Sequence, residues 1–140
     1  MRKVTLRIPV YTFQIDIMGH VSNIVYLQWM EMLRCELLVA MDMPIHTLVE
    51  KGYGPALVST EIKYIRPTNL GDVVTGEVWL SELGSASATL ELRFFNQRGE
   101  LVSEGRQRGA FVDVKTGKLK RLGADEKAAF GEFLNPPVES

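Results

Sequence analysis

The residues best suited to chemistry form one short segment near the N-terminus, from Asp16 to Tyr26 (DIMGHVSNIVY). It holds a carboxylate, a glycine and a Ser-Asn pair, and a long apolar stretch typical of a helix comes directly after it. A carboxylate that is ionised at neutral pH can attack a carbonyl or activate water. The first amides of a helix are unpaired donors at the positive end of its dipole. This combination suits attack on a polarised carbonyl, with Asp16 as the acting group.

Two further residues near Asp16, Gly19 and His20, are candidates for a role in the site, whereas Cys35 is not. Gly19 permits a positive φ or a close approach of substrate. His20 could act as an acid–base partner four residues from Asp16, or it could shape the loop by hydrogen bonding, and we favour the second role. Cys35 is expected in the core, and a single cysteine excludes an internal disulfide and fits a reducing cytoplasm.

One strand and one long helix must position this segment. Residues 3–10 alternate between polar and apolar types, which predicts a strand buried on one face, and Pro9 implies an edge position. The helix is predicted from Ile24 to Met41, and we expect it to be buried on most sides because its apolar residues cover more than one stripe. A short second helix is predicted over Ile45–Lys51.

The rest of the chain predicts an antiparallel sheet. Glycine-containing segments typical of hairpin turns separate its later strands. With one long helix available, the sheet must curl around it, which gives an α+β architecture with five strands. We expect a single domain over residues 1–134, a terminal helix within it over Ala124–Leu134, and a flexible C-terminal tail over residues 135–140. The four strands predicted after the helices are Ala56–Arg66, Asp72–Leu83, Ser87–Asn96 and Leu101–Val114.

The composition excludes several classes of function. The chain has 140 residues, 46% of them apolar, and a net charge of −1. This charge argues against nucleic acid or an anionic membrane as the main partner. We find no signal peptide, no spanning segment and no metal-ligand spacing, so we expect a cytoplasmic protein that needs no metal or cofactor.

This organisation resembles the hotdog-fold acyl-CoA thioesterases, and most of all the 4-hydroxybenzoyl-CoA thioesterase-like branch. The resemblance extends from Val4 to Leu122. It implies a five-stranded antiparallel sheet curled around one long central helix. The residues that carry it are the Asp-x-x-Gly-His-Val-x-Asn-x-x-Tyr stretch over residues 16–26, then Trp29, Glu31 and Arg34 in the helix, and Tyr64-Ile65-Arg66-Pro67.

The resemblance also implies an activity. Asp16 would attack the thioester or activate water for that attack, and the backbone N–H of Asn23 would donate to the thioester carbonyl. The products would be a free acid and a thiol, and the substrate an acyl-CoA or an acyl-carrier-protein thioester. The acyl group and the choice of carrier stay open.

Several residues are candidates for binding the substrate. Tyr26 matches a family position, although a buried helix needs such an anchor in any case. Arg or Lys side chains near the acyl tunnel would hold the phosphates of coenzyme A, whereas a solvated strand face is the ordinary role of such residues. The basic candidates are Arg106, Arg108 and Lys118.

The sequence leaves two alternative functions open and also predicts how the chain assembles. A hotdog hydratase or dehydratase of 3-hydroxyacyl thioesters would use Asp16 with His20, but the chain lacks the Asp-x-Asn-Pro-x-His stretch of one hydratase branch. A non-catalytic acyl-thioester binder is disfavoured because Asp16 is retained. One helix covers only one face of the sheet and strand edges stay open, so we expect a homodimer joined edge to edge, with a tetramer left open.

Overall fold

The computed structural model describes residues 2–136. Its strands form one five-stranded antiparallel sheet in the order β1-β3-β4-β5-β2, and α1 is the one long helix. The predicted α+β sheet with a central helix is therefore confirmed. In chain order the elements are β1 (Val4–Pro9), a 3₁₀ turn (Thr12–Gln14), α1 (Asn23–Ala40), α2 (Ile45–Glu50), β2 (Tyr53–Tyr64), β3 (Val73–Leu83), β4 (Ser87–Phe95), β5 (Leu101–Asp113) and α3 (Ala124–Gly131).

The bounds of β2 differ from those predicted, at both ends. Tyr53 already pairs with Asp113, so the strand starts earlier than expected. It stops at Tyr64 because the N–H groups of Ile65 and Arg66 both donate to the carbonyl of Val102, at 2.9 and 3.1 Å, which interrupts the ladder. No pattern in the sequence predicted the 3₁₀ turn over residues 12–14.

Helix α1 packs closely against one face of the sheet. A Cβ added at Gly105 would lie 2.0 Å from Cε of Met30 and 2.8 Å from the carbonyl oxygen of Glu61, so only glycine fits there. The second glycine on this face of β5, Gly109, has no contact closer than 3.5 Å. The seven buried residues of α1 are Val25, Tyr26, Trp29, Met30, Leu33, Leu37 and Leu38.

The expectation that α1 is buried on most sides is wrong for the single chain. Ile24 is 67% exposed and Val39 is 54% exposed, because the sheet of one chain covers only one side of the helix. The strand order also leaves the outer edge of β2 unpaired, where Val58 is 63% exposed. An apolar surface therefore runs along α1 and the free edge of β2.

The C-terminal end of the described chain is tied to the sheet. The N–H of Asn135 donates to the carbonyl of Leu80 at 2.7 Å, and its side-chain amide donates to the carbonyl of Arg2. Asn135 thus belongs to the packed structure, whereas residues 137–140 of the predicted tail lie outside the described residues. Within residues 2–136, every helix is too short or too polar to cross a membrane.

Candidate active site

The segment that contains Asp16 folds into a tight loop. Ile15 and Val21 form an antiparallel bridge that closes it. Inside, the N–H of Asp16 donates to the carbonyl of His20 at 2.7 Å, and the N–H of Gly19 donates to the carbonyl of Asp16 at 3.0 Å. Gly19 has a φ of +78°, a conformation that L side chains rarely adopt, which explains the glycine.

The two oxygens of the Asp16 carboxylate have different surroundings. Oδ1 accepts hydrogen bonds from the N–H of Met18 at 2.9 Å and from the N–H of His20 at 3.2 Å. Among residues 2–136, no donor is bonded to Oδ2, and the side chain is exposed. One oxygen thus fixes the carboxylate to its loop and the other is free to react.

Backbone hydrogen bonds hold this loop against the start of α1. The N–H of Ser22 donates to the carbonyl of Gln14 at 2.9 Å, and the N–H of Val21 donates to the carbonyl of Thr68 at 2.8 Å. From β2, the hydroxyl of Tyr64 donates to the carbonyl of Asn23 at 3.2 Å. The carboxylate loop and the first turn of the helix therefore form one rigid unit.

The first turn of α1 keeps a free backbone donor. Ser22 occupies the N-cap position in an extended conformation, but its side chain makes no capping hydrogen bond. The N–H of Asn23 has no acceptor within the described part of the chain. No acidic residue lies in the first turn of this 18-residue helix, so no side chain of that turn offsets the positive end of the helix dipole. Such an amide can stabilise an oxyanion.

His20 and Tyr26 support this unit through different contacts. His20 is half-buried and exchanges backbone hydrogen bonds with Asp16, while its ring makes no hydrogen bond to that carboxylate among the described residues. Tyr26 is 3% exposed and its hydroxyl lies 2.7 Å from Oγ1 of Thr68. Burial raises the pKa of Tyr26 despite that hydrogen bond, so the phenol is neutral. Both contacts are structural, and a role in substrate binding for Tyr26 stays a prediction.

The basic candidates lie elsewhere in the chain. Arg106 donates from Nε and Nη2 to the carboxylate of Glu91 at 2.7–3.1 Å. Arg106 and Arg108 project from the face of β5 opposite α1, since Gln107 between them points to the helix. Lys118 lies beyond the far end of β5, about 33 Å along the strand from the end beside the Asp16 loop. Within one chain none of the three joins this loop, and phosphate binding by them stays a prediction.

A partly buried row of three hydrogen-bonded side chains between α1 and the sheet is the feature that the sequence did not predict. Nη1 of Arg34 donates to Oε1 of Gln107 at 2.6 Å, and Nε2 of Gln107 donates to Oγ1 of Thr60 at 3.2 Å. The only sequence signal was a glutamine at an inward-facing position of β5. No cluster of three His, Cys, Asp or Glu side chains within residues 2–136 is placed to hold a metal ion.

Comparison with known proteins identifies the family of this chain. The model of the thioesterase-like superfamily matches residues 10–133. The chain belongs to this superfamily. The predicted family, the hotdog fold and the class of thioester hydrolase are thereby confirmed. No protein in the comparison with curated sequences matches the chain.

Solved structures of thioesterases share the fold over nearly the whole chain. A DHNA-CoA thioesterase from Staphylococcus aureus is 18% identical with a TM-score of 0.88, covering 94% of this chain and 91% of that one. A 1,4-dihydroxy-2-naphthoyl-CoA thioesterase from Synechocystis is 15% identical with a TM-score of 0.86, covering 96% and 100%. A further solved structure with this fold, that of a hypothetical Staphylococcus aureus protein in complex with CoA, is 15% identical with a TM-score of 0.91, covering 99% and 89%.

Proposed function

We propose that this protein hydrolyses an acyl-CoA thioester, with Asp16 as the acting carboxylate and the N–H of Asn23 polarising the carbonyl. The observation that carries the proposal is the pairing of a half-free carboxylate with an unpaired helix amide in one rigid unit. The solved neighbours, two of them named as CoA thioesterases and one in complex with CoA, support CoA as the carrier.

Two routes are open to Oδ2 of Asp16. As a nucleophile it attacks the carbonyl carbon, the thiolate leaves, and water hydrolyses the resulting mixed anhydride. As a general base it takes a proton from water, the hydroxide adds to the carbonyl carbon, and the proton passes to the departing thiolate. In both routes the carbonyl oxygen becomes negative, and the Asn23 N–H stabilises it together with the helix dipole.

We further propose that the working unit is a homodimer joined along β2. The edge of β2 is unpaired, and side chains around the Asp16 loop are exposed: Phe13 at 82%, Ile17 at 101% and Ile24 at 67%. Side chains this apolar are seldom left in water as one patch, so a second copy that covers them would complete the walls of the site.

Release of free thiol from a panel of acyl-CoAs tests the proposed activity. We expect steady turnover with at least one aromatic or aliphatic substrate, by protein that light scattering shows to be dimeric at sub-micromolar concentration. Binding without thiol release would contradict the proposal, as would addition of water to an enoyl thioester in place of cleavage. A stable, active monomer would contradict the shared site.

A further inference from the structure

Arg34 differs from the ion-paired arginines of the chain in both burial and partner. Arginines such as Arg66, Arg93 and Arg106 have side chains 50–56% exposed, and each lies beside a carboxylate. Arg34 is half-buried, and no carboxylate within residues 2–136 lies within 4.0 Å of it. Its hydrogen-bond partner is the neutral amide of Gln107.

This arrangement leaves the guanidinium of Arg34 with no carboxylate in contact among residues 2–136. Burial lowers the pKa of Arg34 against the opposing effect of Glu31, one turn away on α1, yet an arginine stays protonated at neutral pH. Gln107 is 1% exposed and is itself held by Thr60, so the guanidinium is fixed in position. Partial burial of a charge with no carboxylate in contact costs free energy, and a bound anion would offset that cost.

Arg34 also lines a small cavity between α1, β2, β5 and α3. Its volume is about 90 Å³. At roughly 10–15 Å³ for each water-sized group, this is room for several such groups and therefore for one carboxylate. Apart from Arg34 the lining is apolar, and it includes Leu37, Leu38, Ala56, Leu90, Phe111 and Phe130.

The cavity lies further along α1 than the candidate active site, towards the C-terminal end of the helix. At one end of β2, Tyr64 contacts Asn23 at the start of α1. At the other end, Ala56 lines the cavity together with Leu37 of α1. The strand and the helix therefore run side by side from the candidate active site to the cavity. Arg34 comes eleven positions after Asn23, about 16 Å along the helix axis. Its side chain leans back towards the N-terminus of the helix, which shortens that distance.

We propose that the preferred acyl group is a medium-length chain ending in a carboxylate, and that Arg34 binds this carboxylate in the cavity. The inference rests on the proposed function, because the thioester carbonyl must lie at the N–H of Asn23. Gln107 is the positioning residue: it orients the guanidinium and does not itself neutralise it.

Pairs of substrates with equal chain length test this directly. Adipoyl-CoA is compared with hexanoyl-CoA, suberoyl-CoA with octanoyl-CoA, and sebacoyl-CoA with decanoyl-CoA. In at least one pair we expect kcat/KM to be about tenfold or more higher for the ω-carboxy member, the effect of one charge-assisted contact.

Two variants of different design then remove the preference. Arg34→Met deletes the cation, and Gln107→Glu keeps the shape of the side chain but supplies a carboxylate that pairs with Arg34. In both variants we expect the two substrates of a pair to have nearly equal kcat/KM. Circular dichroism checks that each variant is folded. Two independent routes to the same loss guard against a variant that fails to fold.

The outcomes separate this inference from the proposed function. Hydrolysis with equal kcat/KM for both members of every pair would overturn the role of Arg34 and leave the thioesterase intact. If no substrate releases thiol, the proposed function fails, and calorimetric binding of suberoyl-CoA and octanoyl-CoA then decides the role of Arg34. Equal affinities would overturn it, and a preference for suberoyl-CoA that Gln107→Glu abolishes would uphold it.

Discussion

Two aspartates of this chain, Asp16 and Asp113, make similar kinds of contact with the turn that follows them. Oδ1 of Asp113 accepts the N–H groups of Lys115 and Thr116, both at 2.9 Å, as Oδ1 of Asp16 accepts two backbone N–H groups. A glycine with positive φ donates its N–H to the aspartate carbonyl in each loop, at 2.8 Å in the Asp113 loop and at 3.0 Å in the Asp16 loop. The kinds of contact made by the carboxylate and the glycine therefore do not distinguish them.

The segment after each turn does distinguish them. The Asp16 loop leads into an 18-residue helix whose first amide is free among the described residues. The Asp113 loop turns back on β5, since the N–H of Asp113 donates to the carbonyl of Lys118 at 2.8 Å, and α3 begins only at Ala124. An aspartate in a turn is ordinary. The neighbouring donor is what favours attack on a carbonyl at Asp16.

Removing the backbone N–H of Asn23, which only the Asp16 loop has beside it, should have the largest effect on kcat. Asn23 is the first residue of α1, where proline is tolerated, and the preceding Ser22 already has the extended conformation that proline requires. Asn23→Pro deletes the N–H, and we expect kcat to fall about 10²–10³-fold, the usual effect of losing one oxyanion donor. Steady-state kinetics on an acyl-CoA substrate measures it.

Two controls accompany this variant. Asn23→Ala keeps the N–H and should retain most of the turnover. Ala124→Pro makes the same backbone change at the first residue of α3, far from the Asp16 loop in the sequence, and should leave kcat unaltered. If Asn23→Pro were as active as Asn23→Ala, the amide would have no part in the reaction.

Replacing the glycine of each loop by alanine should give a smaller difference in kcat between the two loops. Gly19 and Gly117 have φ of +78° and +72°, and a Cβ added at either has no heavy atom within 4 Å. Alanine at either position should therefore cost about 1 kcal/mol in the free energy of unfolding, through backbone strain alone. Only Gly19→Ala should also lower kcat, by roughly tenfold, because a small displacement of a reacting group is costly. Urea denaturation and kinetics on both variants provide the test, and equal kcat values would refute the distinction.

Replacing His20 should lower kcat less than either Asn23→Pro or Gly19→Ala. Its backbone, not its ring, holds the Asp16 loop, so His20→Asn should keep more than about a third of kcat, whereas losing a general acid or base costs about 10²–10⁴-fold. The pH–rate profile should keep its shape. A deep loss of turnover together with a missing limb of that profile would instead indicate a working Asp–His pair.

The smallest effect concerns the acid stability of the Asp113 loop. The N–H groups of Thr116 and Lys115 hold the pKa of Asp113 below its usual value. A lowered folded-state pKa contributes stability above the unfolded value of about 3.9, and this is lost as the pH falls through the folded value. Thermal unfolding of the wild type and of Asp113→Asn should therefore differ slightly at neutral pH and converge in acid. A difference that does not shrink in acid would contradict this.

Local patterns in the sequence were enough to predict the order of the strands and α-helices and to locate the segment of the candidate site. Alternation over residues 3–10 and the apolar run after Asn23 depend on neighbouring residues only, and both elements formed as predicted. The loop from Asp16 to His20 is also local, so the positive φ of Gly19 could be predicted from the sequence, while the role of the Asp16 carboxylate stays a prediction.

Features that depend on distant parts of the chain could not be predicted. Arg34 and Gln107 lie 73 positions apart, and their contact depends on the register of β5 beneath α1. The sequence makes Arg106 a candidate for phosphate binding, but its partner Glu91 lies opposite it on β4, which only strand pairing reveals. The exposed side of α1 likewise reflects what a single sheet can cover.

The most direct test of the central claim compares the two aspartates under identical conditions. Thiol release from one acyl-CoA at saturating concentration is measured for the wild type, for Asp16→Asn and for Asp113→Asn. We predict a loss of kcat of at least about a hundredfold for Asp16→Asn, since asparagine can neither attack nor take a proton, and no measurable loss for Asp113→Asn. Near-wild-type turnover by folded Asp16→Asn protein would contradict the account.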